Sequence, residues 1–338
     1  MKMKSTWNSQ DFLFIGDARD NTVKRFNAET GEFSGTFVAT GRGHLKGPRG
    51  LVFDHDDNLL VSNQNVNTSN NGSVNEYNEQ TGAYLGELVS FKGNNAPHAP
   101  LGIVLSPSGN ELYVADIIDR DGNPGELRAY DAKTGTFLYN FDHSDFMGDF
   151  FPRSLVFGPD GFLYVSVRNN PNTELGQLGG WVLRFDLETR KLVDDYFIQS
   201  SNSIPLHRPE GLVFGPDGTN LYVTSFRANI NDTDKILVFD HLSGVLVDRI
   251  DLYAVGEPRA FAQAILFGPN GRLFVPITGP TKPNTSLPSG PVTGSVRSYD
   301  VQTKDIETFV QPASMNGPLG SPWYLTFGQT NPSTLNYE

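Results

Sequence analysis

The chain has no cysteine among its 338 residues, which excludes disulfides, thiolate nucleophiles and cysteine-ligated metals. Positive charge is scarce. Lys and Arg number 26 against 38 Asp and Glu, a formal charge of −12, so no nucleic-acid partner is expected, since one needs a basic face. The acidity favours solubility. No run approaches the ~18 apolar residues of a membrane span, and none is expected. Met1-Lys2-Met3-Lys4 leads into Ser5-Thr6-Trp7-Asn8 rather than an apolar stretch. This reads as no secretory signal, leaving the chain cytoplasmic, or secreted with its signal removed. There is no Gly-x-Ser-x-Gly elbow, phosphate-binding glycine loop or His-Glu-x-x-His, so those chemistries have no support.

What is present is a repeat. Arg208-Pro209-Glu210-Gly211-Leu212-Val213-Phe214 recurs as Pro48-Arg49-Gly50-Leu51-Val52-Phe53, Pro100-Leu101-Gly102-Ile103-Val104-Leu105 and Pro152-Arg153-Ser154-Leu155-Val156-Phe157. Looser copies stand at Gln263-Ala264-Ile265-Leu266-Phe267 and Pro322-Trp323-Tyr324-Leu325-Thr326-Phe327. A spacing of about 50 to 60 residues marks a repeat architecture. Each unit reads as four short strands, a to d, as in Leu51–Phe53, Leu59–Ser62, Ser73–Tyr77 and Tyr84–Leu88. The N-terminus supplies strands b, c and d without an a, and the C-terminus an a alone. Joined, they predict an all-β, six-bladed propeller closed by a shared blade, over residues 11–328, with short tails 1–10 and 329–338.

The a–b turns, such as Gly215-Pro216-Asp217-Gly218, and the c–d turns, such as Lys133-Thr134-Gly135, are short and uniform. The b–c and d–a connections (169–180, 279–294, 142–152, 198–209) are long and varied. Both long classes emerge on one face of a meander, which marks that face as the functional one.

The motif Pro-x-Gly-Leu-Val-Phe, then Leu-Tyr-Val, then Phe-Asp before Thr-Gly resembles the NHL-repeat propellers. The wider group includes gluconolactonase (regucalcin, SMP-30-like), strictosidine synthase-like and peptidylglycine lyase proteins. The resemblance covers nearly the whole chain, and implies that the residue before each Gly50-type position rings the central channel. The ring reads Arg49, Leu101, Arg153, Glu210, Gln263 and Trp323. Gluconolactonase-like members would place Glu, Asn and Asp there for a divalent cation, and only Glu210 matches. Peptidylglycine lyases would place histidines for zinc, and none is present. Strictosidine synthase-like enzymes rely on one glutamate and no metal, which Glu210 fits. No full metal-ligand set is legible, and a cation such as calcium stays open.

The expectation is therefore a hydrolase or lyase acting at the channel mouth on a polar or anionic small molecule. Glu210 would be acid or base, or else a structural carboxylate paired with arginine. His207 is the second catalytic candidate, with His44 and His98 in equivalent loops. Arg49, Arg153, Gln263, Trp323 and Leu101 would bind substrate. Nine arginines (19, 42, 49, 120, 153, 168, 208, 227 and 259) fall on the loop face, suited to an anion, or to pairing with Asp142, Asp145, Asp149, Asp232 and Asp234. Asp119-Arg120-Asp121-Gly122-Asn123 resembles the start of a calcium loop but lacks its twelfth-position acid. Phe146, Phe150, Phe151, Trp181, Phe226 and Phe261 would wall an apolar pocket or anchor loops. The alternative is a non-catalytic propeller binding a protein, peptide or glycan through the loop face. Oligomeric state is not legible.

Overall fold

The computed structural model describes residues 11–169, 178–279 and 291–338. The N-terminal tail and most of the connections 169–180 and 279–294 lie outside the described residues.

Among the described residues, alternating and continuous apolar runs bounded by Gly, Pro and Asp turns form 24 strands in six four-stranded antiparallel sheets. The first blade holds β1 (Phe12–Asp17), β2 (Thr22–Asn27) and β3 (Phe33–Val38). The second holds β4 (Pro48–Phe53), β5 (Leu59–Asn63), β6 (Ser73–Tyr77) and β7 (Tyr84–Val89). The third holds β8 (Pro100–Leu105), β9 (Glu111–Ile118), β10 (Pro124–Asp131) and β11 (Phe137–Asn140). In the fourth come β12 (Phe151–Phe157), β13 (Leu163–Arg168), β14 (Gly180–Asp186) and β15 (Lys191–Gln199). The fifth contains β16 (Leu212–Phe214), β17 (Asn220–Ser225), β18 (Lys235–Asp240) and β19 (Leu246–Asp251). The sixth contains β20 (Leu266–Phe267), β21 (Leu273–Ile277), β22 (Ser295–Tyr299) and β23 (Ile306–Val310). Finally β24 (Pro322–Phe327) joins β1, giving the order β24-β1-β2-β3 and closing the ring as the sequence predicts.

The repeated motif explains the packing between blades. The aromatic of one blade's strand b meets the Phe ending the next blade's strand a: Phe14 with Phe53 at 5.1 Å, Tyr164 with Phe214 at 5.0 Å, Tyr222 with Phe267 at 5.1 Å and Phe274 with Phe327 at 5.0 Å. Tyr113 and Phe157 repeat it at 5.9 Å. Leu60 and Leu105 replace the pair between the second and third blades, inside one apolar cluster. Such pairs add about 0.5–1.5 kcal/mol each beyond their buried area.

Strand a carries a second repeated device. Its pairing with strand b slips between Pro48 and Leu51, Pro100 and Ile103, Pro152 and Leu155, and across the partners of Pro322 and Leu325. The bulged pairs are Arg49-Gly50, Leu101-Gly102, Arg153-Ser154 and Trp323-Tyr324. A bulge bends the strand and re-aims its side chains, here at the ring positions. Glu210-Gly211 and Gln263-Ala264 precede the short β16 and β20, so strand a is briefer there than β4, β8, β12 and β24. The reason is visible at Glu210: its N–H and that of Gly211 go to Thr224 Oγ1, at 3.1 and 2.9 Å, instead of to a ladder carbonyl. The strands crowd the axis. A Cβ on Gly50 would lie 2.6 Å from the Leu101 carbonyl, and one on Gly211 2.7 Å from Ala264 Cα.

The channel is closed below this ring. Tyr324 occupies a position that is Gly, Ser or Ala in the other five blades, and its buried hydroxyl donates to the Arg153 carbonyl at 3.2 Å. Beneath it the segment 329–338, read from the sequence as a tail, folds under the short a–b turns. Leu105 N–H donates to the Pro332 carbonyl, Phe157 N–H to the Ser333 carbonyl and Ser333 Oγ to the Ser106 carbonyl. Leu335 then packs against all four apolar clusters. Only a 30 Å³ apolar void separates it from Tyr324.

Candidate functional site at the channel mouth

Above the sealed lower end, the ring side chains gather at the long-loop end of the channel. Glu210 is among them and is 2% exposed. Its backbone is held from both sides, the N–H by Thr224 and the carbonyl by Ser166 Oγ–H from the fourth blade at 2.5 Å. Its Oε1 meets Arg153 Nη2 at 3.1 Å and also contacts Arg168 Nη2. Its Oε2 is buried without a hydrogen-bond partner among the described residues.

Arg168 ends β13, and its Nε donates to the Pro209 carbonyl, which presents the guanidinium to Glu210. Arg49 is 5% exposed and has no carboxylate partner among the described residues. Its Nε donates to Gln64 Oε1 at 3.0 Å, its Nη1 to the Pro48 carbonyl at 3.1 Å, and its guanidinium stacks 3.8 Å from the Trp323 ring. Burial pulls the Arg49 guanidinium down to about 10 against the attraction of Tyr324 and Glu210. Burial pulls Arg168 down to about 9, with Glu210 opposing and Arg153 and Arg208 adding repulsion. These lowered values have one cause: cations withdrawn from water with too little negative charge beside them. Burial, with Glu210 nearby, also pushes the Tyr324 phenol well above its ordinary range.

A second tier of arginine adjoins the first. Arg259 meets Asp234 at 2.6 Å, and the same carboxylate accepts the N–H groups of Arg227 and Phe261. Arg208 Nη2 donates to the Arg227 carbonyl. Phe226 lies among the guanidiniums of Arg168, Arg208 and Arg259, at 5.0, 5.9 and 5.4 Å. Phe261 stacks on Arg259 at 3.8 Å.

The structure gathers Arg49, Arg153, Glu210 and Trp323 into one cluster. Gln263 borders it with its amide turned back, Nε2 donating to the Phe261 carbonyl at 3.2 Å. Two candidates stand apart. Leu101 is 1% exposed, inside an apolar cluster. His207, expected beside Glu210, is turned away. Its N–H is pinned by Ser225 Oγ at 2.9 Å, and the charged groups around its ring are Lys235, Asp232 and Arg208. The pin recurs: Asp17, Asn63 and Asp116 at the ends of β1, β5 and β9 accept N–H groups of the loop entering strand a. His98 is thus fixed by its backbone, with its ring at Asn71. Arg168 and Tyr324 are the site residues that ring spacing alone did not single out. Arg168's signal was its membership among the loop-face arginines. Tyr324's was its bulk at a small-residue position.

The other expectations resolve locally. Asp232 pairs with Lys235 at 2.6 Å, and Asp142 with Lys191 at 3.6 Å. Asp119 accepts from Asp121, Asn123 and the Asn123 side chain in a self-contained turn. Phe146, Phe150 and Trp181 pack in the core at the fourth blade, as loop anchors. Among the described residues no group of three or more His, Cys, Asp or Glu is placed to hold a metal. A cation cage on Glu210 does not fit this floor, because its carboxylate is held by two guanidiniums and no second carboxylate joins it among the described residues.

No family model matches the chain, and no curated protein does. Solved structures do match. A periplasmic gluconolactonase from Pseudomonas aeruginosa aligns with a TM-score of 0.60 at 19% identity, over 94% of this chain and 99% of that one. A gluconolactonase from Xanthomonas campestris aligns at 0.55 and 14%, over 90% and 86%. A Bacteroides caccae protein of unknown function aligns at 0.61 and 12%, over 94% and 99%. At these identities the likeness is one of fold. The chain is a six-bladed β-propeller with gluconolactonases among its structural neighbours.

Proposed function

We propose that the channel mouth is a small-molecule site where a polar or anionic substrate undergoes hydrolase or lyase chemistry. The supporting observation is the unpartnered Glu210 Oε2, buried at the mouth while Oε1 is held by two guanidiniums. A buried acceptor without a donor is costly, and an attacking water or a substrate hydroxyl is a donor of the right kind. In this reading Oε2 takes the proton, from water in hydrolysis or from the carbon beside a carbonyl in a lyase reaction. Arg49 and Arg153 hold carbonyl or anionic oxygens, and Trp323 and Gln263 border the substrate. Arg168 positions Glu210. His207, facing away, has no part in the transfer.

The test is turnover of a panel of lactones, esters and hydroxy-acid lyase substrates. Glu210→Gln is expected to lower kcat about 10²–10⁴-fold without unfolding the protein. Full activity in that variant on a turned-over substrate removes the catalytic assignment.

A second reading, a non-catalytic binder of a glycan or peptide, has its own observation. A groove of about 700 Å³ runs between the second and third blades, lined by Asn70, Asn71, Phe91, His98 and Arg120. Amides beside an aromatic face suit a polar polymer. Glycan or peptide binding lost in Phe91→Ala, with no turnover of the panel, would support this reading over the first.

A further inference from the structure

The channel floor is unbalanced in charge, and the imbalance is built in. Arg49 and Arg168 each lie close enough to Arg153 and Glu210 to interact with both electrostatically. Their side chains are at most 17% exposed. Among the described residues Glu210 is the one carboxylate that pairs with any of them. Three buried cations therefore face one anion. The adjoining tier repeats the pattern, with Arg208, Arg227 and Arg259 around Asp234. All this stands in a chain of formal charge −12, so the cations are not a by-product of a basic protein. Among the described residues, Arg153 Nε and Arg208 Nε are buried donors with no partner. A folded protein leaves few such donors unmet, and buried charge of one sign calls for a counter-charge.

Resting on the reading of the mouth as a ligand site, we infer that its occupant carries a doubly charged anionic group, seated over Arg49, Arg153 and Arg168. The shared chemistry is a dianion with several acceptor oxygens: a phosphate or sulfate group, or two carboxylates on one small molecule. Guanidinium forks match such groups in geometry as well as charge. Tyr324 and Leu335 close the channel below, so the dianion enters from the long-loop face and its remaining atoms point back towards that face.

The experiment is calorimetric titration of the full chain at pH 8 and constant ionic strength, with sulfate, inorganic phosphate and succinate against acetate and chloride. The dianions are expected to bind at least about tenfold more tightly than the monoanions. Sulfate and phosphate ahead of succinate identifies a tetrahedral group, and the reverse order identifies a dicarboxylate. Arg49→Met removes a cation without stranding a carboxylate, and is expected to weaken the preferred dianion about tenfold. Glu210→Gln raises the imbalance from two charges to three, and is expected to tighten it. Equal affinity for monoanions and dianions, or weaker dianion binding in Glu210→Gln, overturns the inference. The two proposals fail separately. Dianion binding without turnover of any panel substrate removes the catalytic reading alone. Glu210-dependent turnover of a neutral substrate with no dianion preference removes the dianion alone.

Discussion

The Tyr324 hydroxyl donates to the Arg153 carbonyl across the central channel, joining the first blade to the fourth, which lies opposite it in the ring. One phenol thereby closes the channel, braces two opposed blades and sets the floor on which Arg153 and Glu210 meet.

Tyr324→Phe is expected to lose this brace at a cost of about 1 kcal/mol. Tyr324→Ala also opens a cavity continuous with the void above Leu335, and is expected to cost about 3–5 kcal/mol. Urea unfolding at neutral pH measures both. Equal stability of the two variants would mean that the ring fills no space.

Arg168→Met leaves Glu210 buried with half its ion pairing. Breaking such a pair costs about 3–5 kcal/mol, towards the lower end here because Arg153 remains. Adding Glu210→Gln is expected to restore part of that loss, since an amide needs no cation. A double-mutant cycle reads the coupling. Additive effects would show that the contact contributes nothing.

Deleting residues 329–338 uncovers the apolar lower end of the channel. The stability loss is expected to exceed the roughly 2–4 kcal/mol of a single Leu→Ala change in a core, because Leu335 and the Ser106, Leu105 and Phe157 hydrogen bonds are lost together. An unchanged unfolding midpoint would make the segment an ornament.

Burial, with Lys235 adding, pulls the His207 imidazole below its ordinary 6.5. The fold therefore favours the neutral ring. Its contribution is complete above pH 6.5 and is lost as pH falls through the lowered folded value. Relative to His207→Gln, the wild type is expected to lose stability as pH falls below 6.5, with a constant difference above it. A parallel pH dependence in the two proteins would show that His207 does not titrate differently on folding.

Much of this is legible in the sequence. The repeat located the blades, because strand a ends in a large apolar residue, Phe in five blades and Leu105 in the third, that meets its neighbour's strand b. The orphan strand at Tyr324–Phe327 announced the closure. The ring positions followed from the family resemblance, and the bulges at Arg49-Gly50 and its three counterparts re-aim the strand there. What the repeat does not encode was missed. Arg168 reaches Glu210 from the end of a neighbouring blade's strand b, a pairing that no sequence spacing expresses. His207 lies three residues before Glu210, yet its ring sits among Lys235, Asp232 and Arg208, which sequence spacing does not express. Residues 329–338 lack strand periodicity, and their plug role rests on one leucine and a few carbonyls.

The most direct test of the charged floor is a crystal structure grown with the dianion that binds best. The account predicts density at the channel mouth within hydrogen-bond distance of Arg49, Arg153 and Arg168, with Glu210 still held by its arginines. Dianion density elsewhere on the protein, with those three guanidiniums facing an empty mouth, would contradict it.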